Sequence, residues 1–145
     1  MTDPQAAPPA APAPGASMQM PGFLASMGRA ELLMAAGAAL IILTDLLFVV
    51  FGPYGFSSVA WAGAALTLIL LFLNGRMMAF SAATLRGLLL MLGAFAAFIG
   101  VREVLSDLQF LNGANVAATY FLGMLGFYAG TVLMVFGAWM LWGRK

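Results

Sequence analysis

Residues 32–51 read LLMAAGAALIILTDLLFVVF, a run in which Asp45 is the one ionisable side chain. About 20 consecutive apolar residues make a helix long enough to cross the ~30 Å hydrocarbon of a bilayer. Three further runs of the same character follow, at Val59–Leu73, Leu88–Val101 with its flanks, and Thr119–Trp142. The chain has 145 residues, of which 63% are hydrophobic and 8% charged, whereas charged residues make up about 25% of an ordinary soluble domain. A water-soluble fold needs charged faces, and the charges for them are missing. The sequence therefore predicts an all-α membrane protein: an antiparallel four-helix transmembrane bundle over residues 29–145, with spans near 31–51, 57–74, 83–106 and 117–142.

The punctuation between the runs agrees. Proline halts the first helix at Gly52-Pro53, and the uncharged loop Gly52–Ser58 sets up a tight hairpin to the second span. The second span ends at Asn74-Gly75-Arg76, and a connector bounded by Arg76 and Arg86 leads to the third. The third meets Arg102-Glu103 and continues to about Leu108, before an Asn112-Gly113 turn signal. Residues 1–28 open with PQAAPPAAPAPGAS at 4–17. That segment offers too few large apolar groups to offset the entropy of ordering, and the expectation is a disordered cytoplasmic spacer with local polyproline II. It lacks the basic start of a signal peptide.

Orientation follows from basic residues in short loops. With both termini in the cytoplasm, the inner side carries Arg29, Arg76, Arg86, Arg144 and Lys145, and the outer side only Arg102. This bias predicts an N-in, C-in protein of a cell membrane, on the plan of small bacterial inner-membrane proteins, and argues against dual topology. Tyr54, Trp61 and Tyr120 fall at the outer interface, and Trp139 and Trp142 at the inner one.

Composition excludes several chemistries. The chain has no cysteine and no histidine, so thiolate metal sites, the usual haem and zinc nitrogen ligands and the commonest general base are missing. No cofactor and no metal are expected. Six scattered basic residues with a net charge of +1 make no phosphate-binding stripe, so nucleic acid is not a partner. No nucleophile–base pair is visible, so an enzyme is not expected. The methionines at 18, 20, 27, 77 and 78 read as adaptable apolar filler rather than a copper route. The shared words Gly37-Ala-Ala-Leu40 and Gly63-Ala-Ala-Leu66 are too short to indicate a duplication.

Two features remain as candidate sites. Asp45 lies about 10 Å below the outer end of its helix at ~1.5 Å per residue. A charge near the bilayer centre costs on the order of 3 kcal/mol. Its expected partner is Arg102 at similar depth on the third span, with Thr44 adding a hydroxyl. The competing reading makes Asp45 a proton or cation site in a small transporter or channel. Its off-centre position, the lopsided charge and the lack of an aromatic cage weigh against that. Arg102, Glu103 and Asp107 are also spaced to satisfy one another along one helix, and two carboxylates are too few for a metal site. Tyr128 is expected to bond a backbone carbonyl or Thr67.

The second feature is glycine spacing. Gly123, Gly130 and Gly137 recur every seven residues, and Gly126 and Gly130 form a GxxxG word. Small residues let membrane helices approach closely where lipid supplies no hydrophobic drive. Span three offers a matching strip in Gly93, Ala96, Ala97 and Gly100, so the expectation is span four packed on span three, with a docking face for another subunit as the alternative. The reading as a whole is a non-enzymatic accessory, scaffold or subunit of a membrane complex. Its partners would be the lipid bilayer, other membrane protein subunits, or further copies of itself as a homo-oligomer.

Overall fold

In a computed structural model, residues 27–51, 58–77, 80–111 and 118–143 are described. Residues 1–26, 52–57, 78–79, 112–117 and 144–145 lie outside the described residues. So do the expectations that fall on them: the disordered tail, the Gly52-Pro53 stop, Tyr54, the Asn112-Gly113 turn, and Met18, Met20 and Met78.

Four helices make up the described structure: α1 (Arg29–Phe51), α2 (Ser58–Met77), α3 (Ala82–Leu111) and α4 (Ala118–Trp142). Each is long and apolar enough to cross a membrane. At ~1.5 Å per residue they run from about 30 Å for α2 to about 45 Å for α3, against ~30 Å of hydrocarbon. The starts carry local signals that the hydropathy pattern did not reveal. Gly28 N–H donates to Glu31 Oε2 at 2.9 Å, the return half of a capping box. Ser81 caps α3: its Oγ accepts from Thr84 N–H at 3.1 Å and shares a 2.8 Å bond with the Thr84 hydroxyl. The end of α4 is satisfied by Arg86 of α3, whose Nη2 donates to the Trp142 carbonyl at 3.1 Å.

The helices form a four-cornered bundle in which each packs on two neighbours. α1 and α4 share the most extensive contact and α2 and α3 the least, while α1 and α3 face each other across the diagonal. Direction is read from the partners. Gly126 of α4 lies over Thr44, Gly130 over Ile41 and Gly37, and Gly137 over Met34 and Ala30. As α4 advances, its partners on α1 recede, so the two run in opposite directions. Along α3, Gly93 meets Ala138 and Gly100 meets Thr131, so α3 also opposes α4.

Two apolar clusters fill the interior. One joins Ala30 and Met34 of α1, Leu70 and Leu71 of α2, Leu85 and Leu89 of α3, and Ala138 and Leu141 of α4. The other takes Ala38 and Ile41, Ala60 and Ala64, Ala96 and Ile99, and Phe127 and Met134 from the same helices. Each cluster draws on all four helices.

The glycine strip of α4 belongs to α1. A Cβ on Gly130 would lie 2.7 Å from both the Gly37 carbonyl oxygen and Ile41 Cγ1, and one on Gly137 would lie 2.7 Å from the Ala30 carbonyl oxygen. These distances correct the expected pairing of this strip with α3. The physical reason lies in Gly37, a small residue of α1 set opposite Gly130, which lets the two backbones touch. Gly93 and Gly100 of α3 do meet α4, but along its Thr131–Ala138 edge. Gly123 is buried on α4.

Candidate functional site: the acidic end of the bundle

Helix direction sorts the charged side chains. Arg29 opens α1, Arg76 closes α2 and Arg86 lies in the first turns of α3 beside the end of α4, so three arginines with Glu31 mark one end. Asp45, Glu103 and Asp107, with Arg102, mark the other. From Arg86 to Asp107 is 21 residues on one helix, about 32 Å at ~1.5 Å per residue and thus close to one hydrocarbon thickness.

At the acidic end the partners differ from those the spacing suggested. Arg102 lies 3.6 Å from Glu103 on the same helix, with side chains 60% and 15% exposed. A pair with one partner this exposed contributes ~0–1 kcal/mol. The structure gives Arg102 to Glu103 rather than to Asp45, because α1 and α3 occupy opposite corners of the bundle. Equal depth did not mean adjacency. Asp45 is half-buried and makes an interaction of its own. Thr44 is buried, and its hydroxyl occupies the space a side chain on Gly126 would need.

Among the described residues Asp107 is the most buried acid, 7% exposed. It accepts a hydrogen bond on Oδ2 from the Tyr128 hydroxyl of α4. This replaces the expected bond from Tyr128 to a backbone carbonyl or Thr67. Thr67 instead donates to the Gly63 carbonyl one turn back at 2.9 Å, and Thr131 does the same to Phe127 at 2.9 Å. The sequence contained a signal for Asp107. The inward positions of α3 run Leu85, Leu89, Gly93, Ala96, Gly100, Glu103 and Asp107 in steps of three and four, one face of a helix. The two carboxylates continue the core face, where a hydroxyl donor on the facing helix offsets part of the desolvation.

Chemically this end is a hydrogen-bonded clasp. A phenol and a carboxylate tie α3 to α4 above the apolar layers. Among the described residues, no group of three or more carboxylates is arranged to hold a metal ion, and no buried side-chain polar atom lacks a partner. Between the four helices, Ile41, Ala64, Phe95, Ile99, Phe127 and Met134 help to line a void of about 10 Å³. Two larger apolar grooves open outward instead. One, of about 540 Å³, lies between α3 and α4 over Gly100, Thr131 and Val132. The other, of about 560 Å³, lies between α2 and α3 over Gly63, Leu66 and Met91.

Comparison with protein families, curated proteins and solved structures finds no match for this chain. The site must speak through its own chemistry.

Proposed function

We propose that this chain is a non-enzymatic scaffold or accessory subunit of a bacterial inner-membrane complex, with both termini in the cytoplasm, whose outward apolar faces meet other membrane helices or further copies of itself. The observation that carries this reading is the contrast between interior and exterior. The void between the helices is about 10 Å³ with a mostly apolar lining, no more than the volume one water needs. The outer grooves beside α3 are some fifty times larger. At the acidic end, the Tyr128–Asp107 bond is spent on joining α3 to α4.

A small transporter or channel working through Asp45 requires a wet path that reaches it, and the packed centre gives that reading little support. Crosslinking in native membranes, followed by mild-detergent purification, tests the proposal. A scaffold yields one defined partner or a homo-oligomer and keeps it in the Asp45→Asn variant. Substrate-dependent proton movement in liposomes that Asp45→Asn abolishes would overturn it.

A further inference from the structure

At the arginine end, a groove of about 530 Å³ runs between the first turns of α3 and the last turn of α4, lined by Ala83, Arg86, Gly87, Leu90 and Trp142. Its walls are graded. Arg86 sits at the level of the α4 terminus, held there by its bond to the Trp142 carbonyl. That bond uses one of the five N–H donors of a guanidinium and fixes the direction of the fork. Next to it, Gly87 leaves open space, with no heavy atom within 4 Å of where a Cβ would stand. Leu90 continues the groove one turn deeper, and Trp142 is 72% exposed beside it. In the sequence, Gly143 is followed by Arg144 and Lys145.

We infer that this groove holds the headgroup of an anionic phospholipid, with its phosphate on Arg86 and an acyl chain laid over Gly87 and Leu90. Three features converge on that ligand. A guanidinium matches phosphate oxygens two at a time. Basic pockets between membrane helices at the cytoplasmic surface suit anionic headgroups. An exposed tryptophan at a helix end belongs at headgroup level. The small residues Ala83 and Gly87 leave room that a peptide side chain does not fill, and the groove floor turns apolar in the direction a chain must follow. The inference rests on the membrane setting of the bundle, not on its role as a scaffold.

The test uses the full-length protein in phosphatidylcholine nanodiscs with Trp61→Phe and Trp139→Phe, so that Trp142 is the one fluorophore of its kind. A low mole fraction of phosphatidylglycerol or phosphatidylcholine with brominated acyl chains is added as quencher. The expected result is association of brominated phosphatidylglycerol about fivefold stronger than that of phosphatidylcholine. Arg86→Gln should bring the ratio to about one, and Arg86→Lys, which keeps the charge and loses the fork, should leave an intermediate ratio. Equal quenching by the two lipids with Arg86 present overturns the inference, as does a preference that survives Arg86→Gln in a protein of unchanged helicity. If Arg86→Gln does not fold, the comparison of Arg86→Lys with the parent decides, and an unchanged ratio overturns the inference. Loss of quenching by both lipids in the parent is a different failure, that of the membrane setting itself.

Discussion

At Gly37 a single methyl group is too much. Its Cβ would stand 2.8 Å from the Met134 backbone nitrogen and press on the Gly130 carbonyl oxygen, and backbone atoms of a packed helix cannot step aside. Gly37→Ala should therefore cost about 1–3 kcal/mol, the range for overpacking a close contact, read as a lowered unfolding midpoint in detergent. Gly87→Ala meets open space and should stay within about 1 kcal/mol of the parent, since only helix propensity changes. Equal effects at the two positions would mean that α1 and α4 are not in backbone contact. The same scale applies to the clasp. Tyr128→Phe removes a donor from a buried carboxylate and should cost about 1–3 kcal/mol, whereas Tyr128→Phe with Asp107→Leu should recover part of that loss. A double variant no more stable than Tyr128→Phe alone would remove the hydrogen bond from the account.

Among the elements, the existence of four helices was legible because hydropathy is additive along the chain and needs no knowledge of neighbours. Partner choice was not legible, because it depends on which corner each helix occupies. Gly126, Gly130 and Gly137 announced a close contact, yet spacing on α4 could not say whether Gly37 or Gly93 lay opposite. Depth arithmetic brought Asp45 level with Arg102, but the bundle diagonal keeps them apart. Asp107 shows a subtler limit. Beside Glu103 and Arg102 it resembles a solvated helix end, and only the inward phase of α3 places it in the core. Caps are local and could have been read from Ser81 and Thr84. Ser81→Ala removes the acceptor for Thr84 N–H and should lower stability by about 1 kcal/mol, with hydrogen exchange rising first in residues 82–85. Protection left unchanged there would show that the α2–α3 connector, where Phe80 N–H donates to Asn74 Oδ1 at 3.3 Å, holds the helix start unaided.

For the molecule as a whole, the decisive property is the separation of charge between the two ends of the bundle. Arg29, Arg76 and Arg86 share one end with Glu31, and the acids Asp45, Glu103 and Asp107 share the other with Arg102, so basic groups prevail at one end and acidic groups at the other. Basic residues near short loops stay on the cytoplasmic side during insertion. The chain has no cysteine of its own, so single cysteines report location without background. Ser106 and Gly75 are both exposed and stand at opposite ends. Ser106 is 20 residues beyond Arg86 on α3, about 30 Å along the axis. A membrane-impermeant maleimide added to intact spheroplasts should modify the Ser106→Cys variant and spare the Gly75→Cys variant until the membrane is opened. The reverse pattern would mean that the arginine end faces outward, against the rule that sorted it. Labelling of both variants from outside in similar amounts would mean that the two orientations coexist, and the charge separation would then not be what directs insertion.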